Sequence, residues 1–306
     1  MPVDLPCPPF IKIDGLHNFR DCGGYPIADQ PGKIVRRGVL YRSEDPSKLT
    51  ARGIAQLQEL GITKAFDLRT ECEIQLSNSN GLGEVREWDG CLRILASVFT
   101  VDYYRKEYSV KRARGVEGEA GNQGVIDYFR DILICASSAD NLLQPLNLIL
   151  DHLSATPPPE PEPILLHCSL GKARTGVICA LILSICGVQD SIITHEFRLT
   201  ALGVGKKVAD MITTLRPDNP GLTERGARFL GCREEAMQGF LAWLQGQGGA
   251  ERYVVESGIM TVEQVQQLRR NLVVELGAGE QPNDWEEHRK MLGHNKFGTP
   301  YQVAIR

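Results

Sequence analysis

Short apolar runs alternate with amphipathic stretches along this chain, the rhythm of strands and helices taking turns. Val35 to Tyr41 reads as a strand, and Thr63 to Leu68 as another. Between them Thr50 is an N-cap for a helix that runs to Leu60 and stops at Gly61. Strand, helix, strand is the unit a parallel sheet needs. It puts Asp67 and Arg69 at a strand's C-terminal end, the edge that faces the ligand crevice in open α/β sheets. Leu92 to Phe99 predicts a further strand, and residues 100 to 122, polar and glycine-containing, a mobile surface insertion. Helical periodicity runs from Val125 to Leu153, and Ser154 to Pro163 is an exposed connection. The run Ile164-Leu165-Leu166 is short and wholly apolar, as a buried parallel strand is. It leads through a glycine-containing turn into the apolar helix Val177 to Leu183, closed by Gly187.

Beyond that helix, Asp190 to Thr200 predicts another, and residues 216 to 232 a loop near the cleft. Glu234 to Gly246, a short segment around Tyr253, and a last helix follow, the last begun by a Thr261/Gln264 capping box. Residues 277 to 306 lose periodicity and read as a loosely packed tail. The fold expected is α/β: a central, mostly parallel sheet flanked by helices, with extra C-terminal helices.

The turn between the apolar strand and helix carries the chemistry. His167-Cys168-Ser169-Leu170-Gly171-Lys172-Ala173-Arg174-Thr175-Gly176 sets a cysteine six residues before an arginine. A strand-to-helix turn converges backbone N–H groups and a helix N-terminus on one anion site. A free thiol titrates near ~8.5, and placement beside cations at a helix start lowers it. Cys168 is then a thiolate nucleophile able to form a phosphocysteine. The Arg174 guanidinium can grip two phosphoryl oxygens at once. Gly171 and Gly176 are expected to let the backbone turn its amides inward. Thr175 offers its hydroxyl to the sulfur, and His167 is expected to hydrogen-bond the loop backbone.

On these residues the loop resembles the signature of the cysteine-dependent protein tyrosine phosphatase superfamily. Asn18-Phe19-Arg20-Asp21-Cys22-Gly23-Gly24-Tyr25, Leu40-Tyr41-Arg42-Ser43 and Phe66-Asp67-Leu68-Arg69 with Glu73 resemble elements of one atypical branch. That branch is the tyrosine-phosphatase-like (tyrosine/serine protein phosphatase) family of bacteria and fungi. The resemblance implies a catalytic domain over residues 10–275 followed by a tail, 276–306. It also implies activity on phosphoproteins and in some members on phosphoinositides. The branch usually carries aspartate between the loop's lysine and arginine, where this chain has Ala173. Wider relatives that lack it place the general acid on another loop.

Composition changes the picture little. A chain of 306 residues is ample for a buried core. A net charge of −4 supplies no global field for nucleic acid or an anionic membrane, so phosphate attraction must be local. Nine cysteines without a C-x-x-C pair point to reduced thiols and a cytoplasmic, or also nuclear, setting. No signal segment and no stable membrane insertion are expected.

The resulting expectation is a cysteine-dependent phosphomonoesterase needing no metal and no cofactor. Cys168, Arg174, Asp67 and Thr175 are its catalytic residues. His167, Ser169, Leu170, Gly171, Lys172, Ala173 and Gly176 form the wall that holds the phosphate. The partner is a phosphorylated protein, with a phosphoinositide as the alternative if Lys172 meets a second phosphate. Asp67 is the first candidate for the general acid, against a structural ion pair with Arg69 or Arg20; Asp102 and Asp131 follow. Asp21 either holds Arg20 or Arg42 or caps a turn. Cys22 or Cys72 is placed to trap an oxidised Cys168 as a disulfide. Two competing readings are a pseudophosphatase that captures phosphate without turnover, and a sulfur-transfer domain.

Overall fold

The computed structural model describes residues 5–79, 85–103, 122–156, 161–204 and 231–292. Most of the proposed insertion, the Pro157 to Pro159 run, most of the 216–232 loop and the last fourteen residues, 293–306, lie outside the described residues.

A five-stranded sheet has the order β1-β3-β6-β4-β5. Its strands are β1 (Arg20–Asp21), β3 (Leu40–Ser43), β4 (Lys64–Asp67), β5 (Leu92–Leu95) and β6 (Ile164–His167). β3, β6, β4 and β5 run parallel, and β1 pairs antiparallel with β3. The register aligns Ser43, His167, Asp67 and Leu95 at one carboxyl edge.

Side-chain alternation along the strands divides the core in two. Leu40, Phe66, Ile164 and Leu166 enter the larger cluster with helices on one face. Tyr41, Ala65 and Leu165 enter a smaller one with Leu57 of helix α1 (Ala51–Glu59) on the other. Thr50 caps α1 through the Gly53 amide, and Gly61 follows its end at a positive φ, as the sequence predicts.

The larger face is organised around the helix after β6, Ala173–Cys186, here α6. Its side chains from Arg174 to Leu183 are all buried, as expected of a helix apolar on every side. Around it stand α4 (Gln123–Ser137), α7 (Asp190–Arg198), α9 (Gly249–Glu256) and α10 (Val262–Leu272). The helix α8 (Glu234–Gly246) packs on α4 and α7. The remaining described helices are α2 (Glu71–Ser79), α3 (Val101–Tyr103), α5 (Pro145–Ser154) and α11 (Trp285–Met291). Among the described residues no helix is long and apolar enough to cross a membrane.

Three expectations need correction. The strand Val35 to Tyr41 is two elements: β2 (Lys33–Val35) pairs with β7 (Val273–Glu275) in a separate ribbon, and Gly38 turns the chain at φ +76 into β3. The periodic stretch Val125 to Leu153 is broken, because Pro145 starts a new helix after Gln144 at φ 41. The Asn141 side chain secures that break by donating to the carbonyls of Ser97 (2.9 Å) and Val98 (3.1 Å). Finally, residues 277–292 are not loose. The Asn283 side chain donates to the Gly23 carbonyl at 2.9 Å, its amide donates to that of Gly24, and α11 contacts α7.

Candidate active site

Cys168 follows the last residue of β6 and Arg174 is the second residue of α6, so five residues, 169–173, separate cysteine from arginine across the turn from strand to helix. Gly171 makes the turn possible: its φ is +61, and a Cβ there would lie 2.1 Å from the Ser43 carbonyl oxygen. Burial alone would raise the Cys168 thiol. The Arg174 guanidinium outweighs it, joined by the Thr175 hydroxyl and by the amides of Thr175 and Lys172, so the thiol lies below its ordinary range. That hydroxyl is buried and bonded to no nitrogen or oxygen, so it serves the sulfur.

Arg174 is held in a fork. Its Nη1 donates to Glu73 Oε2 at 2.6 Å and its Nη2 to Glu73 Oε1 at 2.8 Å. Nη1 also reaches the Leu68 carbonyl and Nη2 the Ser169 hydroxyl, both at 3.3 Å. Burial pushes the Glu73 carboxyl up, but Arg174 and the Thr70 amide and hydroxyl pull it further down, so it stays ionised. Glu73 has no assigned role among the expected site residues. The signal was there: Thr70-x-x-Glu73 is a capping-box spacing, and Glu73 Oε2 does accept from the Thr70 amide at 3.0 Å while the Glu73 amide donates to the Thr70 hydroxyl at 3.1 Å. One carboxylate starts α2 and orients the loop arginine.

Cys168 and Arg174 fall within the stretch that a known family matches. The sequence profile described as the tyrosine phosphatase family matches residues 11–274. The chain belongs to that family. It is a hydrolase of the protein tyrosine phosphatase type. Among curated relatives, it is 29% identical over 199 residues to the triple specificity protein phosphatase PtpB of Mycobacterium tuberculosis, which covers 61% of this chain and 67% of that protein. It is 26% identical over 216 residues to a Cupriavidus necator protein that carries a tyrosine-protein phosphatase name, covering 67% of this chain and 72% of that one.

Not every expected residue of this phosphatase sits at the loop in the expected way. Asp67 shares the sheet face of Ala65 and Leu165, opposite the face on which α6 lies. Its carboxylate accepts from the Arg69 amide (3.1 Å), Arg69 Nε (2.9 Å) and Nη2 (2.8 Å), and from Arg93 Nε (3.2 Å) and Nη2 (2.8 Å). Burial alone would raise its pKa, but the positive groups around it drive it well below the usual carboxylate range. It holds no proton to give. Asp67 thus forms the ion pair with Arg69, the alternative to the acid role.

His167 lies on the same face. Neither ring nitrogen is hydrogen-bonded, so it does not tie the loop backbone as expected, and Nδ1 stands 3.9 Å from Asp67 Oδ1. Burial keeps the imidazole neutral against the pull of Asp67. Gly176 lies inside α6, where its amide donates to the Lys172 carbonyl at 2.7 Å. Its role is close packing: a Cβ would meet the Phe197 ring at 2.7 Å.

Lys172 is buried at the helix start and its charge reaches the Cys232 thiol. Ser169 and Leu170 are half-exposed, and Ala173 opens α6. Asp21 caps turns, accepting from the Gly23 and Gly38 amides at 2.7 Å each, and does not hold Arg20 or Arg42. The Cys22 sulfur stands 3.9 Å from that of Cys179, which makes Cys179 its neighbour. Asp102 is exposed on α3, and Asp131 accepts from the Tyr103 hydroxyl at 2.9 Å.

Proposed function

We propose that this phosphatase is cysteine-dependent and hydrolyses phosphotyrosine, and also phosphoserine or phosphothreonine, in proteins through a phosphocysteine. The observation that carries the reading is the placement of Cys168 between a buried strand and a buried helix, in a loop whose Arg174 is fixed by Glu73, with Arg174 and the Thr175 hydroxyl drawing the thiol below its ordinary range. The Cys168 sulfur attacks phosphorus, and the P–O bond to the substrate breaks as the leaving oxygen takes a proton. Arg174 and the loop amides stabilise the charge on the equatorial oxygens. Thr175 then donates to the departing sulfur while water attacks the phosphocysteine. Glu73 keeps the guanidinium in plane throughout. The proton comes from a carboxylate not bound by a guanidinium, and Asp102 on α3 is the candidate. The triple specificity in the name of the Mycobacterium tuberculosis relative supports a substrate range wider than phosphotyrosine.

The test is hydrolysis of an aryl phosphate by the wild type and by Cys168→Ser, with EDTA present. Activity that survives EDTA and is lost in the variant is expected. Wild-type protein that binds a phosphopeptide but turns nothing over would replace this reading with a capture module. Activity that survives Cys168→Ser would remove the thiolate mechanism.

A further inference from the structure

We infer that Arg42 is a positioning residue that braces the phosphate loop from behind, held in place by Glu196 and seconded by Asn18. The inference rests on Cys168 being the nucleophile. A peptide unit is planar and trans, so its carbonyl and its amide point in opposite directions. Whatever holds the loop's carbonyls to the rear therefore aims the amides of the following residues at the anion. Arg42 Nη2 donates to the Gly171 carbonyl at 2.7 Å and to that of Lys172 at 3.4 Å. The Asn18 side chain donates to the carbonyls of Leu170 (3.0 Å) and Gly171 (3.2 Å). Together they occupy three consecutive carbonyls, and the amides those carbonyls turn forward belong to Gly171, Lys172 and Ala173.

The arrangement behind Arg42 is costly, which argues for a purpose. Arg20 and Arg42 face each other directly across β1 and β3, and both are 0% exposed. Like charges opposite one another on neighbouring strands repel, and buried ions lose their hydration. Glu196 of α7 resolves the repulsion by taking both. Its Oε1 accepts from Arg20 Nε at 2.7 Å and its Oε2 from Arg42 Nη1 at 2.5 Å. Arg20 is fixed further by the Thr200 hydroxyl at 2.8 Å and by Asn18, whose backbone stands at φ 57. Asparagine is among the few non-glycine residues that tolerate this left-handed backbone. Two guanidiniums against one carboxylate leave a surplus positive charge beneath the loop, and the field of Arg42 takes in the Cys168, Cys22 and Cys179 sulfurs. A well-packed apolar trio would fold at least as well, but it would neither hold the carbonyls nor supply the charge.

The thiolate titration of Cys168 reads this directly. Its alkylation by iodoacetamide is followed against pH, by mass spectrometry of the peptide containing Cys168, in the full-length wild type, Arg42→Lys and Asn18→Ala. Arg42→Lys keeps a charge but loses the fork. Its midpoint is expected to rise by about one pH unit or more, with kcat/KM on an aryl phosphate down more than about tenfold. Asn18→Ala removes only one arm and serves if Arg42→Lys does not fold; its midpoint is expected to move the same way by less. Unchanged midpoints in folded variants would overturn the inference, whatever happens to thermal stability. A wild-type Cys168 that titrates in the ordinary thiol range would instead overturn the nucleophile reading, and the bracing role with it.

Discussion

Asp67→Asn separates a structural carboxylate from a catalytic one. In the wild type five N–H groups from Arg69 and Arg93 converge on Asp67, which is fully buried. Asparagine keeps the shape but removes the charge, and its amide hydrogens must face guanidinium hydrogens. Breaking a buried ion pair from one side costs about 3–5 kcal/mol. Arg69 retains Asp45 at 2.5 Å and Arg93 is partly exposed, which favours the lower end. For a chain of this length that is a fall in Tm of roughly 5 °C. The pH dependence has a definite sign. The folded carboxyl titrates below its unfolded value of 3.8, so the wild type holds this stability above that value and loses it as pH falls toward the folded pKa. The gap between wild type and variant should be full at neutral pH and close in strong acid. In kinetics, an acid removed costs alkyl phosphates about 10²–10⁴ and aryl phosphates with good leaving groups far less. The expectation here is an equal fractional loss on 4-nitrophenyl phosphate and on a phosphoserine peptide. An alkyl loss more than about tenfold larger, at unchanged Tm, would refute the argument and return Asp67 to the acid role.

Other expectations follow from the same geometry. Gly171→Ala sets a Cβ against the Ser43 carbonyl at a positive φ, and kcat/KM should fall by about 10² or more because the loop must move. Glu73→Gln frees one side of the Arg174 fork, so kcat/KM should drop about 10–100-fold; an unchanged value would show that Arg174 needs no such support. His195 is pulled down to about 4 by burial first and then by His288, which stacks on it at 6.0 Å. It folds neutral, so it costs stability as pH falls from 6.5 toward 4. His195→Phe should flatten the decline of Tm over that range, and an identical decline would exclude it as the source.

How much of this was legible in the chain depended on the range of the interaction. The loop from Cys168 to Arg174 is written in consecutive residues, so its place between strand and helix could be read directly. The caps at Thr50 and Thr261 were local in the same way. The brace was not. Asn18, Arg42 and Glu196 are separated by 24 to 178 residues, and the hydrogen bonds Asn18–Gly171 and Arg42–Glu196 span 153 and 154. Nothing in the local pattern around Glu196 distinguishes it from a solvated helix residue. The split of Val35 to Tyr41 escaped because β2 answers to β7, more than two hundred residues away. The placement of Asp67, by contrast, was within reach. Strand parity puts Phe66 and Leu68 on the side of the catalytic helix and Asp67 on the other.

That parity bears on the proton. A general acid must carry its proton before it gives it, so a guanidinium-bound carboxylate is the wrong kind of group. Asp67, Glu73 and Glu196 are all so bound and all held below their ordinary range, in each case by charges that outweigh burial. The phosphatase has spent these carboxylates on orientation: one aligns strands, one the loop arginine, one the brace beneath the loop. The loop itself, residues 168–174, holds no carboxylate, with Ala173 before the arginine. The proposed mechanism therefore takes its acid from over the crevice. The chain after β5 leads there, since Ala96 and Val98 donate to the carbonyls of Asp67 and Leu68 at the sheet's carboxyl edge before α3 begins. Asp102, exposed on α3, is not bound by a guanidinium among the described residues, which is why the proposed mechanism turns to it for the proton.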